Sequence, residues 1–411
     1  MFGYGASGAQ SGHPMVLVAL AVTTPLLKGP VMRKKSMRIA MGVTVAALGV
    51  AMAGCAPTAS TDTPSTPDGN GDSQVQTDEL QQFTSGQEVI DSYDIRELCG
   101  DEPITLAFPV GIANPWMKAV HMLIQQEADK CDNIGVVEMI DAQVDQQKAV
   151  SDVNSLVAQG VDGIITLPIF GEAQVPSFRA AMDAGVPVVT FVANSGGVAG
   201  QDVVGHVSQD YDTYAQGWAD WLGEHMKSGT VVFLGNAPGQ PSSVAAFNAF
   251  KEAIAAYPDI ELVEDEYQVT NNSAVEKKRV MTGLLAKHGR IDAVITDAGA
   301  YDLAVLEAYE EAGMELPYLA NANTTNGVGC AWQDKEFPLF SWDGSQTHGV
   351  VAFRHLVAAV TGETTTEPWM VRPFVSIDTF ADKAPRCEAG MSPDIDWSTP
   401  LSDEDLQKVH G

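Results

Sequence analysis

The stretch Ala149-Val-Ser-Asp-Val-Asn-Ser-Leu-Val-Ala-Gln-Gly-Val-Asp-Gly-Ile-Ile-Thr-Leu-Pro168 decides the fold. Val150, Val153, Leu156 and Val157 recur at helical spacing through Gln159, and Gly163–Pro168 is then a short, continuously apolar run. A strand without alternation is buried on both faces, as in a parallel sheet covered by helices. The same unit repeats along the chain. Strands are expected at Ile104–Phe108, Ile134–Ile140, Gly163–Pro168 and Val186–Phe191, then at Thr230–Asn236, Ile260–Tyr267, Ala293–Ala298 and Leu316–Ala322. Start-to-start spacings are 30, 29 and 23 residues in the first set and 30, 33 and 23 in the second. The expectation is α/β, with two doubly wound parallel-sheet lobes. Each crossover is right-handed, and ligands sit at the carboxyl ends of the strands. Asn114-Pro115 supplies a cap and an N1 proline for the first helix, and a short helix is expected over Glu88–Leu98.

Upstream of this body the composition changes. The chain has 411 residues, 23 Lys+Arg and 53 Asp+Glu, for a formal charge of −30. Residues 1–54 hold five basic residues and no acidic one, so the remainder carries 18 basic against 53 acidic, a net of −35. Nucleic acid is excluded as a partner, because its affinity comes from basic neutralisation of phosphates. Met32–Arg38 is a basic segment, Ile39–Ala53 is an apolar run of 15 residues, and Met52-Ala-Gly-Cys55 closes it. That order is a secretory signal, and small residues before Cys55 resemble a lipobox. Residues 32–54 are therefore expected to be a lipoprotein signal peptide and Cys55 the lipidation site. At ~1.5 Å per residue the apolar run spans ~22 Å, short of the ~30 Å a membrane helix must cross. Residues 1–31 are expected to lie upstream of the true start, at Met32 or Met37. In Ala56–Ser73, 12 of 18 residues are Pro, Ser, Thr or Gly, so residues 55–75 read as a flexible tether.

Setting Cys55 aside leaves Cys99, Cys131, Cys330 and Cys387, an even number in an exported chain. Cys99 precedes the first strand and Cys131 ends the following helix, while Cys330 and Cys387 are both late. The pairings expected are 99–131 and 330–387. No Cys or His spacing suits a metal, and no cofactor motif is present.

Further motifs then fall in order: Ile104-Thr-Leu-Ala-Phe, Asn114-Pro-Trp-Met-Lys118, Gln126-Glu-Ala-Asp-Lys130, Gly160-Val-Asp-Gly-Ile-Ile165, Gly185-Val-Pro-Val-Val189, Val231-Val-Phe-Leu-Gly235 and Ala249-Phe-Lys-Glu-Ala253. Over residues 102–380 the chain resembles the ribose/galactose-type periplasmic binding proteins, the sugar-binding components of ABC importers. The resemblance implies a type I periplasmic binding protein fold, with a three-crossover hinge near Gly205–Asp210, Trp342–Asp343 and Arg372–Phe374. It also implies an N-terminal lobe of residues 102–208 plus 344–372 and a C-terminal lobe of 209–343 plus 373–411. Helix Gln346–Val360 would return to the first lobe, and the tail with Cys387 would lie on the second.

Sugars present hydroxyl rims that need donors and acceptors, and C–H faces that pack on rings. The strand ends offer Asn114, Trp116, Phe170, Phe191 and Asn194 in the first lobe. In the second they offer Asn236, Asp297, Tyr301, Asn321 and Asn323, with Trp342 and Asp343 at a crossover. Ribose-type members follow the fourth strand with Asp-Arg; here the chain reads Val192-Ala-Asn194. They carry an Arg on the helix after the first strand of the second lobe; Ser242–Asn248 has none, and their later Asn-Asp is Ala298-Gly299. The expected ligand is therefore less polar than ribose or differently shaped: a deoxysugar, polyol, nucleoside-like or aromatic compound.

The function expected is that of an extracytoplasmic solute-binding lipoprotein, anchored to the cell membrane, monomeric, and delivering a small molecule to an ABC permease. Presentation of ligand to a chemoreceptor or sensor kinase uses the same fold. An exported sugar-active enzyme is the competing class, but there is no Gly-x-Ser-x-Gly, His-Glu-x-x-His, Walker loop or Gly-x-Gly-x-x-Gly after a strand. A repressor would need a DNA-binding head, which is absent.

Overall fold

The structure is a computed structural model describing residues 82–136 and 138–410. The expected signal peptide, the expected lipidation site Cys55 and the expected tether lie outside the described residues.

The body opens with helix α1 (Gly86–Asp91), followed by β1 (Ile104–Ala107), β2 (Pro109–Val110), α2 (Pro115–Ala128), β3 (Ile134–Val136), β4 (Ile140–Asp141), α3 (Gln146–Gln159), β5 (Gly163–Thr166), α4 (Val175–Asp183), β6 (Val188–Val192) and β7 (Gly205–Gln209). The second set runs α5 (Tyr211–His225), β8 (Gly229–Gly235), α6 (Pro241–Ile254), β9 (Ile260–Leu262), β10 (Gln268–Val269), α7 (Ala274–His288), β11 (Ala293–Thr296), α8 (Leu303–Glu311), β12 (Tyr318–Ala322), α9 (Asn326–Lys335) and β13 (Leu339–Asp343). Helix α10 (Thr347–Thr361), β14 (Met370–Val371), β15 (Phe374–Asp378) and α11 (Asp403–His410) complete it.

The apolar runs become parallel strands, and β5, β6 and β11 are buried at every position. One sheet has the order β14-β7-β6-β5-β1-β3 and is parallel throughout. The other has the order β10-β8-β11-β12-β13-β15, with β9 beside β8; only β15 runs antiparallel, against β13. Two long runs are interrupted: Ile134–Ile140 yields β3 and β4, and Ile260–Tyr267 yields β9 with β10 beginning just after it. The chain crosses between sheets three times, at residues 209–211, 343–347 and 371–374.

Local chemistry sets the boundaries. Asn114 Oδ1 accepts the Met117 N–H at 2.8 Å, with Pro115 in the first turn of α2. Asp145 caps α3, and Gly160 ends it at φ 79°, a left-handed conformation that glycine adopts at little cost. The expected helix over Glu88–Leu98 is instead α1 plus a 3-10 turn at Ile95–Glu97, because Asp94 accepts the Arg96 N–H and starts a separate turn.

Both disulfides, Cys99–Cys131 and Cys330–Cys387, are present. Helix α10 packs on β5, β6, β7 and α2, returning to the first lobe. The tail corrects the expected placement of 373–411. Cys387 is tied to α9 of the second lobe, but Leu401, Leu406 and Val409 pack with Ala119, Leu123 and Val350 of the first, and α11 lies against α2. The apolar spacing of Leu406 and Val409 gives α11 one face to bury, and Ala119 and Leu123 on α2 are buried against it.

Candidate functional site: a cleft between the two sheets

Strand carboxyl ends from both sheets converge on one cleft. Asn114 and Trp116 follow β2, Ile169 follows β5, and Val192 ends β6; opposite them stand Asn236 after β8, Thr270 after β10, Asp297 after β11 and Asn323 after β12. Four of the lining residues hold a left-handed backbone without being glycine: Val192 (φ 61°), Asn272 (φ 52°), Tyr301 (φ 69°) and Asn323 (φ 75°). For a β-branched residue such as Val192 that conformation is a real outlier, and such strain gathers at ligand sites.

A chain of hydrogen bonds ties the lobes together across the back of the cleft. Trp116 Nε1 donates to Ser345 Oγ at 3.2 Å, Ser345 Oγ donates to Asn323 Oδ1 at 3.0 Å, and Asn323 Nδ2 donates to Asp396 Oδ2 at 3.0 Å. Gln346 Nε2 and the Ser398 N–H also donate to Asp396, and burial pushes its carboxyl up. Tyr211, at the first crossover, donates its hydroxyl to the Val192 carbonyl at 3.1 Å.

The second-lobe wall is polar and braced from beneath. Asp297 accepts from Asn236 Nδ2 at 3.3 Å and from the Ser243 hydroxyl, and burial raises it to about 6 even though Ser243 and Lys277 pull the other way. Lys277 Nζ donates to the carbonyls of Ala298 (3.0 Å) and Ala300 (2.9 Å) and pairs with Asp302 at 2.7 Å. Lys277 therefore holds the loop that carries Tyr301.

Of the twelve side chains expected at the site, Asn114, Trp116, Asn236, Asp297, Tyr301 and Asn323 line the cleft. The other six are placed elsewhere. Phe191 is fully buried and stacks on Phe108 at 6.2 Å, and Phe170 packs against the same first-lobe core. Asn194 is exposed and accepts the Gly196 N–H. Asn321 is buried, donating to Asp302 Oδ2 at 2.9 Å and accepting from Thr324. Trp342 turns into the second-lobe core, where its ring lies on Gly217 and Nε1 donates to the Tyr214 carbonyl at 3.1 Å. A Cβ at Gly217 would stand 2.1 Å from that ring, so glycine is what admits it. Asp343 lines a separate cavity with Ser376, Arg386 and Trp397, and burial raises its carboxyl to about 7. Tyr211, Lys277, Ser345 and Asp396 are cleft residues that sequence reasoning passed over. Among the described residues no group of three or more His, Cys, Asp or Glu is placed to hold a metal, and no helix is long and apolar enough to cross a membrane.

A family model described as a periplasmic binding protein domain matches residues 106–364, well over half the chain. The chain belongs to the periplasmic binding protein family. It is 30% identical over 191 residues to a xylitol-binding protein of Mycolicibacterium smegmatis, covering 45% of this chain and 52% of that one. It is 27% identical over 220 residues to the ribose import binding protein RbsB of Bacillus subtilis, covering 51% and 68%. The chain thus spans about half the length of the first relative in alignment and about two thirds of the second. Among solved structures, the arabinose ABC transporter binding component of Shewanella sp. ANA-3, bound to arabinofuranose, superposes with a TM-score of 0.59 at 21% identity, over 68% of this chain and 94% of that one. A solute-binding protein of Bacillus halodurans with bound myo-inositol gives 0.61 at 17%, over 68% and 96%. These likenesses establish a type I periplasmic binding protein fold for this chain.

Proposed function

We propose that this chain is an extracytoplasmic solute-binding lipoprotein of an ABC importer, taking a small sugar-like or polyol ligand between its lobes and passing it to a permease. The observation that carries the reading is the cleft itself, which both lobes line with amides, the carboxyls of Asp297 and Asp396, and the Trp116 and Tyr301 rings. Asn114, Trp116, Asn236, Asp297, Tyr301 and Asn323 are the contacts we assign. The work is done by closure: a ligand stabilises the closed form only by binding it better than the open one. No bond is made or broken, and the protein acts as a monomer, held to the membrane by a diacylated Cys55. The lobes divide at the three crossovers, with the end of the tail joined to the first lobe.

Thermal melting of the full chain against neutral sugars and polyols tests the ligand reading. A ligand at a hundred times its Kd adds about 2.7 kcal/mol of stability by mass action, which raises the midpoint visibly. If no member moves the midpoint and a chromogenic glycoside is hydrolysed, the chain is an enzyme. Mass analysis of the membrane fraction tests the anchor, which a Cys55→Ser chain must lose.

A further inference from the structure

The two walls of the cleft differ in chemistry. On the first lobe, Met117, Leu167, Ile169 and Val192 are all less than a tenth exposed, and Ile112 extends their surface. Ile169 is wedged against Gly111, where an added Cβ would stand 2.2 Å from its Cδ1, so the glycine is what admits its side chain. Trp116 has given its N–H to Ser345, and Asn114 Oδ1 is used by the α2 cap. The amide of Gln209 and the Asn114 NH2 are what remain there to meet a hydroxyl.

The opposite wall is built to receive donors. Gln240 is 6% exposed, its Nε2 donates to Ser242, and its Oε1 has no partner. Asn236, Thr270 and Asp297 stand beside it on the cleft surface. Lys277 is the one cation on the lining among the described residues, and it is spent on Asp302 and two carbonyls. A hydroxyl pressed on the first wall would lose its water and find few partners, which is costly. A ligand anion would find no free cation and would face Asp297.

We propose that the ligand is a neutral, amphipathic polyhydroxyl compound, with its hydroxyl-bearing edge on the second lobe and a deoxygenated or methyl-bearing face on the first. Leu167 and Ile169 set the preference by excluding hydroxyls, while Gln240 and Asp297 receive them. This rests on the solute-binding reading above.

Titration calorimetry of the full chain with matched sugars tests it: galactose against 6-deoxygalactose, glucose against 6-deoxyglucose, ribose against 2-deoxyribose, with galacturonate as the anion. In at least one pair the deoxy member binds about tenfold or more tighter, and galacturonate gives no heat. The Leu167→Gln chain narrows or reverses that preference; should it fail to fold, the pairs on the unaltered chain decide. If the fully hydroxylated member binds as tightly in every pair that binds, or galacturonate binds, the amphipathic assignment is wrong and the solute-binding reading stands. If no sugar of the pairs and no sugar or polyol of the melting panel binds, both fall.

Discussion

Each lobe buries an ion cluster, and the two clusters serve different ends. In the first lobe Arg354, fully buried on α10, pairs with Glu127 of α2 at 2.7 Å and Glu367 at 2.5 Å. It also donates to the carbonyls of Val89 (3.3 Å) and Ile90 (2.6 Å), drawing α1 onto the body. In the second lobe Lys277 on α7 pairs with buried Asp302, which also accepts from Thr296 and Asn321, and the same ammonium holds the loop at the cleft floor. The first cluster staples secondary structure together away from the cleft lining; the second shapes the cleft wall proposed to meet the ligand. Buried charge is therefore a stability device in one half and a site-building device in the other.

Removing each cation in turn is the strongest way to break this comparison. Arg354→Met takes the cation from buried Glu367, leaves buried Glu127 with only the partly exposed Lys130, and unpairs the Ile90 carbonyl, and should cost about 5 kcal/mol, read from urea melts, while the protein that remains folded binds ligand with unchanged Kd. Lys277→Met leaves one buried carboxylate without its cation, though Thr296 and Asn321 still donate to it, and unpairs two carbonyls, so the cost should be nearer ~3 kcal/mol, but here affinity falls as well, because Ala298 to Tyr301 lose their anchor. If both variants spare affinity, or both abolish it, the distinction is lost.

A smaller effect comes from pH. Burial raises Asp297 to about 6 and Asp343 to about 7, above the ~3.9 of an unfolded aspartate. The folded protein then holds more protons than the unfolded chain between about pH 4 and 7, so these groups make stability fall as pH rises through that window. Asp343→Asn removes its share and leaves the cleft lining intact. Its stability relative to the unaltered chain should rise from pH 4 to pH 7, at unchanged ligand affinity. A difference that stays constant across that range would contradict the account.

The lobes were legible because buried parallel strands leave an unmistakable trace: short apolar runs at near-constant spacing, joined by helical patterns. The cleft was legible only in part. Asn321 and Asn323 look equivalent in sequence, yet Asn321 lies within β12 and faces Asp302, whereas Asn323 just beyond it turns at φ 75° into the cleft. Lys277 stands in Glu276-Lys-Lys-Arg279, which reads as a solvated helix face; only the tertiary contact with Asp302 singles it out. Trp342 followed the strand-end rule, but Gly217 offered its ring a place in the core. Asp396 belongs to a tail segment without periodicity, and its approach to Asn323 depends on how the tail straps across both lobes.

The central claim is that one solute binds between the lobes against Trp116, the one tryptophan lining the cleft among the described residues. Fluorescence titration of the full chain with the tightest-binding sugar of the paired panel, repeated on Trp116→Ala, tests it directly. A saturable one-to-one emission change is expected, and in the variant its loss together with about tenfold weaker binding, the equivalent of ~1.4 kcal/mol of stacking contact. The same emission change and the same Kd in Trp116→Ala would place the ligand elsewhere.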